Sequence, residues 1–281
     1  MKLYKTQSAI YLEIQGKWYQ APNQNWDNLV NRTGLFDYLT HDLQHWKALA
    51  QSPELDHTPP IGNQEVWAAG VTYLRSKIAR MEEAEAAGGG DFYDRVYDAP
   101  RPEIFFKATA ARTVGNGDMV YIRRDSKWDV PEPELTLFIS SAGTIEGYSI
   151  GNDMSSRSIE GENPLYLPQA KTYERSAGLG PCLWIPGKPI SLDTVIHLRI
   201  SRGEKIMYED QVAISQMKRG LEELVEYLYR ECNFPYGCFL MTGTCLVPDD
   251  SFTLEPGDRV NIRIDGIGEL VNVVGRKEIN D

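Results

Sequence analysis

The sequence predicts a β-rich α+β fold, and three observations predict it. From about residue 101 to the C-terminus the chain breaks into short runs of β-branched and aromatic residues separated by Gly, Pro and Asp, the pattern of many strands joined by turns. One good helix interrupts them, with Met217, Leu221, Leu224 and Leu228 marking its apolar face. Ahead of both lies a short mixed segment that ends in a Pro-rich connector, residues 52–60, where prolines remove backbone donors and disfavour helix in the residues before them. We therefore expect a small N-terminal α/β domain over residues 1–60 and a larger β-rich domain over residues 61–281.

Taken in order, residues 9–20 alternate and turn at Gly16-Lys17, which predicts a hairpin. Leu35, Leu39, Leu43, Trp46 and Ala50 mark one face of a helix. Glu65 to Gly70 reads as a short buried strand, and Leu74 to Ala87 has helical composition until Gly88-Gly89-Gly90 stops it. The segment 88–100 reads equally as a lid over a site or as a solvated connection. Gly115-Asn116-Gly117 and Gly178-Leu179-Gly180 lack the strand-then-helix setting of a dinucleotide site and are expected to be turns.

Composition excludes several functions. With 281 residues, 42% of them hydrophobic, the chain can bury a sizeable core. Its net charge of −11 repels phosphate backbones and anionic lipid, and no basic stripe opposes that, so neither nucleic acid nor membrane is an expected partner. The first twenty residues carry no apolar run, and nowhere do eighteen apolar residues follow one another, so we expect a cytoplasmic protein. Cys182, Cys232, Cys238 and Cys245 lack metal or redox spacing and read as buried thiols. His41 and His45 stand at helical spacing without the Glu between them that a zinc protease uses, His57 sits in a loop, and His197 falls in an alternating strand-like run, so no histidine is assigned chemistry.

The chemistry concentrates between Glu103 and Lys171. In an extended strand Glu132 and Glu134 project to the same side while Pro133 turns away at a strand start or edge. Asp153 follows nineteen residues after Glu134, and Lys107 and Lys171 bracket the three. Gathered together, each pair of carboxylates at about 4 Å repels by about 4 kcal/mol at an effective dielectric of 20, so the cluster calls for a cation. Carboxylates without His or Cys favour hard ions, Mg²⁺ first, then Mn²⁺ or Ca²⁺. On its own a Glu-x-Glu pair in an acidic chain more often describes a solvated strand face.

Beyond these signals, Ala69-Gly70-Val71-Thr72-Tyr73, Ile104-Phe105-Phe106-Lys107, Pro133-Glu134-Leu135, Gly151-Asn152-Asp153-Met154-Ser155, Lys171 and Met241-Thr242-Gly243-Thr244 occur in an order that resembles the fumarylacetoacetate hydrolase family. The resemblance runs from about residue 65 to the C-terminus. It implies a mixed β-roll catalytic domain, a homodimer or higher homo-oligomer, and Mg²⁺ held by Glu132, Glu134 and Asp153. The carbon-carbon hydrolases of the family carry a His and a Glu where this chain has Ser76 and Ala79, which removes their water-activating pair. The longer strings, such as residues 162–169, resemble the branch that dehydrates 2-keto-3-deoxy sugar acids, so the expected partner is a small 2-oxo acid. Alternatives are an acylpyruvate-type hydrolase, an oxaloacetate-type decarboxylase, and a catalytically silent metal-binding scaffold.

On that resemblance Lys171 lies nearest the reacting carbons, as base or as a cation that polarises the enolate. Lys107 is a further catalytic candidate or a structural cation, and Glu103 an acid for the departing hydroxyl or a salt-bridged bystander. Thr244 is expected to bind the substrate carboxylate, with Tyr73 and Arg75 at the far end of the substrate.

Overall fold

A computed structural model describes residues 1–74 and 96–278. The helical expectation for Leu74 to Ala87 and the residues Arg75, Ser76 and Ala79 lie almost wholly or wholly outside them. Pairing begins at once with an antiparallel meander of β1 (Lys2–Lys5), β2 (Ile10–Ile14) and β3 (Lys17–Gln20). The turn between β2 and β3 is Gln15-Gly16, at φ 50° and 80°, one residue earlier than expected, because two successive positive φ values match the right-handed twist of the strands.

Helices Trp26–Val30 and Leu35–Asp42 follow, and the second buries Leu35 and Leu39. It ends earlier than the apolar spacing predicts. Leu43–His45 is a single 3₁₀ turn, the Trp46 indole N–H donates to Asp42 Oδ2 at 3.0 Å, and β4 (Lys47–Leu49) then pairs with β3, so Ala50 is not helical. A free strand edge overrode the helical pattern there.

The larger sheet adds β5 (Glu65–Gly70), β6 (Glu103–Thr109), β7 (Thr113–Val114), β10 (Pro133–Ile139), β11 (Ile145–Asp153), β13 (Ala177–Trp184) and β16 (Cys238–Met241). Its order is β4-β3-β2-β1-β13-β11-β10-β16-β5-β6, with β7 parallel to β13. A second sheet runs β15 (Lys205–Ala213), β14 (Val195–Arg202), β17 (Arg259–Ile264), β18 (Gly268–Gly275) and β8 (Met119–Tyr121). A third pairs β9 (Asp129–Val130) with β12 (Ser155–Ser156). Parallel pairs (β5/β16, β7/β13, β8/β18) stand among antiparallel ones, the mixed strand-rich fold expected.

Two cores result. Leu135, Leu137, Ile150, Leu198, Ile262 and Leu270 fill the space between the two main sheets. Leu3, Leu12, Leu29, Leu39, Phe138 and Phe239 form a second cluster on the other face of the larger sheet, under the N-terminal helices. We keep the division near residue 60 as a proposal about folding units; the β1–β13 ladder and this second core join residues from both sides of it.

Three further readings are corrected. Gly178-Leu179-Gly180 is not a turn but part of β13, where a side chain at Gly178 would meet Asn272 Oδ1 at 2.5 Å, so the glycine admits close approach of neighbouring strands. The late helix is Leu221–Tyr229, opened by Gly220 with the Glu223 carboxylate accepting the Gly220 N–H; Met217 precedes it in extended conformation and bridges to Tyr73. Cys232 is exposed just beyond that helix, whereas the other three cysteines are buried. Among the described residues no helix is long and apolar enough to cross a membrane.

Candidate metal centre and active site

Glu132 and Asp153 face each other at the end of the β10–β11 ladder. Each donates its backbone N–H to the other's carbonyl, at 3.2 and 2.9 Å, and Glu134 follows two residues along, on the same side as Glu132. One carboxylate oxygen from each of Glu132, Glu134 and Asp153 lies within 4.8 Å of the other two, and the three residues are 5%, 1% and 0% exposed. Pro133 opens the strand, where its missing N–H costs no ladder bond. The Gly243 amide donates to Glu134 Oε2, fixing the third carboxylate from the loop after β16.

Lys107 reaches this cluster because the larger sheet curls. Three strands stand between β6 and β11, yet the Lys107 ammonium lies 2.5 Å from Asp153 Oδ1. A β-bulge aims it: Val66 pairs with Ala108 and Trp67 with Phe106, which leaves Lys107 as the extra residue. Its other hydrogens go to the carbonyls of Met154, at 2.9 Å, and Lys171. Held between Asp153 and two carbonyls, Lys107 is proposed here as the structural cation of the two roles expected for it. Burial presses its ammonium below the ordinary lysine range, and Asp153 opposes that shift.

Lys171 ends the short helix Leu167–Lys171 and is fully buried. Its ammonium meets Glu132 Oε2 at 2.7 Å, Asp153 Oδ2 at 3.3 Å and Ser155 Oγ at 2.6 Å, with the Phe105 ring 5.7 Å away. Two partners escaped the sequence reading. Arg157 donates to Glu132 Oε1 at 2.7 Å and to Glu160 Oε2 at 3.3 Å, and both Arg157 and Glu160 are 2% exposed. Their i,i+3 spacing directly after Asp153 was a signal that could have found them.

Electrostatics favour a cation here. Among the described residues four buried carboxylates (Glu132, Glu134, Asp153, Glu160) face three buried cations (Lys107, Arg157, Lys171), a formal balance of one negative charge with every group ionised. Burial, then Asp153 and Glu132, push the Glu134 carboxyl well above the usual range, the signature of a charge lacking compensation. All-oxygen ligands with no His or Cys suit Mg²⁺. One divalent ion turns the balance to one positive charge, matched to the carboxylate of a 2-oxo acid.

The remaining candidates surround this cluster unevenly. Tyr73 is buried, and it lines a small cavity of about 140 Å³ together with Gln211, Gln216 and Cys245; burial, then Cys245 and Glu134, raise its phenol. Thr244 is 6% exposed and its oxygen accepts the Leu246 N–H at 3.2 Å, so its hydroxyl hydrogen is what it can offer a ligand. Glu103 begins β6 opposite Gly70, its carboxylate lying where a side chain at Gly70 would stand, outside the carboxylate triad. Arg75 lies outside the described residues, as do residues 88–95 of the expected lid; residues 96–100 are fastened by Lys218 and Arg219, which donate to the carbonyls of Tyr97 at 2.7 Å and Val96 at 3.2 Å. A larger cavity, about 820 Å³ between Phe36, Tyr148, Pro189 and Tyr229, touches none of these residues.

A family model described as fumarylacetoacetate (FAA) hydrolase C-terminal matches residues 66–275. A probable 2-keto-3-deoxyxylonate dehydratase of Haloferax volcanii is 50% identical over 220 residues, covering 77% of this chain and 74% of its own. The 2-dehydro-3-deoxy-D-arabinonate dehydratase of Saccharolobus solfataricus is 40% identical over 252 residues, covering 88% and 84%. The structure of 2-keto-3-deoxy-D-arabinonate dehydratase complexed with magnesium and 2,5-dioxopentanoate is similar at TM-score 0.81 and 31% identity, over 99% of this chain and 100% of that one.

Proposed function

The chain belongs to the fumarylacetoacetate hydrolase C-terminal family, and we propose that it is a Mg²⁺-dependent dehydratase converting a 2-keto-3-deoxy-pentonate into 2,5-dioxopentanoate. The observation that carries this reading is the buried carboxylate triad flanked by Lys171, in a chain 50% and 40% identical to two dehydratases of this class. When bound, Mg²⁺ would supply a Lewis acid for a 2-oxo acid and positive charge to offset the negative charge that develops on it. Glu132, Glu134 and Asp153 would hold it.

The chain's own residues do the rest. Lys171 removes a proton from C3 or steadies the enolate that forms, and the C4 hydroxyl leaves with a proton as water, for which Glu103 is the proposed donor. The resulting enone isomerises by moving a proton from C5 to C3, and the C4–C5 enol so formed passes its hydroxyl proton to C4, giving the aldehyde. Thr244 offers its hydroxyl to the substrate carboxylate, and Tyr73 and Arg75 receive the distal end. We further propose a cytoplasmic homodimer or higher homo-oligomer, to be tested by sedimentation.

The test is mass-spectrometric product analysis with 2-keto-3-deoxy-pentonates of each C4 configuration, with Mg²⁺ and with excess chelator. Metal-dependent loss of one water from one isomer supports the reading. A shortened carbon chain, or no change in any isomer, overturns it in favour of a decarboxylase, a hydrolase or a silent scaffold.

A further inference from the structure

We propose that Glu160 is the positioning residue that takes over Lys171 when a divalent cation fills the Glu132, Glu134, Asp153 triad, and that it thereby aims the Lys171 ammonium at the substrate. The inference rests on the reading of that triad as a metal site for a 2-oxo acid. Four acceptors surround the Lys171 ammonium: Ser155 Oγ at 2.6 Å, Glu132 Oε2 at 2.7 Å, Asp153 Oδ2 at 3.3 Å and Glu160 Oε1 at 3.7 Å. Two of them belong to the triad. A divalent ion and an ammonium compete for the same carboxylate lone pairs, and the ion carries twice the charge. Ser155 and Glu160 are what Lys171 keeps.

Of those two only Glu160 is anionic, and a charge-assisted hydrogen bond is roughly twice as strong as a neutral one. Closing the 3.7 Å gap to hydrogen-bonding distance takes a movement of about 1 Å at the end of a flexible side chain. The carboxylate is held ready for it. Ser156 Oγ accepts the Ile159 N–H at 3.3 Å and caps the helix Arg157–Glu162, whose first turn carries Glu160. Arg157 joins Glu160 Oε2, at 3.3 Å, to Glu132 Oε1, at 2.7 Å. Lys171 bridges the same two carboxylates through their other oxygens, Glu132 Oε2 and Glu160 Oε1. Two cations and two anions therefore alternate around a buried square, and loss of the Glu132 side to a metal leaves the Glu160 side to hold the lysine.

Glu160→Gln keeps the shape and removes the charge. Calorimetry should give Mg²⁺ affinity within about threefold of the wild type, while kcat falls by roughly 10- to 100-fold and KM changes by less than about threefold, the pattern of a misplaced group beside an intact metal site. Metal-dependent exchange of the C3 protons of pyruvate for deuterium, followed by NMR, should fall equally, and that reaction needs no C4 hydroxyl. Glu160→Asp, which keeps the charge one methylene further back, should recover part of the loss and carries the comparison if the Gln variant folds poorly. Wild-type rates in both variants would overturn the proposal, as would a loss of Mg²⁺ affinity in proportion to kcat, because Glu160 would then only support the triad. A wild-type protein that exchanges pyruvate protons but dehydrates no 2-keto-3-deoxy acid sinks the dehydratase reading and leaves the Glu160 comparison intact in the exchange assay.

Discussion

Lys107 and Asp153 form a buried ion pair across the curl of one sheet, 2.5 Å between Nζ and Oδ1, although β6 and β11 are separated by three strands. The pair closes the larger sheet over the candidate metal centre and orients the carboxylate that Lys171 also touches. Neither residue is accessible to solvent, so each is the other's replacement for water.

Lys107→Met should therefore destabilise the protein by about 3–5 kcal/mol, the cost of leaving a buried carboxylate without its partner. Urea denaturation measures this directly. A change below about 1 kcal/mol would remove Lys107 from the role of structural cation.

Glu134→Gln should weaken Mg²⁺ binding by more than the 10- to 100-fold that loss of a mere supporting partner costs, and activity should fall with it. Without metal the variant should be at least as stable as the wild type, because it removes one of three mutually repelling buried carboxylates. Calorimetry and thermal melting of the metal-free proteins test the two halves separately.

Lys171→Met should retain Mg²⁺ binding, and tighten it, since the ammonium that occupies Glu132 and Asp153 is gone. Turnover should drop by about 10²- to 10⁴-fold, the share of a positioned proton-transfer or enolate-stabilising group. Wild-type turnover in this variant would end the assignment of Lys171 to the chemistry.

Because the Glu134 pKa is raised in the folded protein, its contribution to stability is fully present below the ordinary glutamate pKa and is lost as pH rises through the folded value. The metal-free protein should lose that contribution above the usual carboxylate range. Mg²⁺ must displace the same proton, so its affinity should rise with pH over that interval. Calorimetric titrations in two buffers of different ionisation enthalpy should show proton release on binding, and equal heats in both would contradict it.

Gly243 holds φ 93°, and a side chain there would stand 2.0 Å from Thr72 Oγ1 and 2.9 Å from the Ala69 carbonyl. Gly243→Ala should cost about 1–3 kcal/mol in backbone strain before the clash is relieved. Any relief shifts the amide that holds Glu134, so Mg²⁺ affinity should fall as well. Chemical denaturation and calorimetry on one preparation test the coupling.

The sequence by itself determined the strand-rich class, the strand Glu65–Gly70 and the shared face of Glu132 and Glu134, because alternation and turn residues act over a few neighbours and are written locally. Motif resemblance gave Asp153 to the metal and Lys171 to the reacting carbons without saying how they meet. Apolar spacing ran past the true end of the helix at Asp42, since the open edge of β3 lies outside any local window. Only the tertiary structure decided that Asp153 pairs with Glu132, that a bulge turns Lys107 inward onto Asp153, and that Arg157 and Glu160 join the buried charge cluster. Those outcomes depend on strand register and sheet curl, which bring distant charges into a space without water, where each must find a partner.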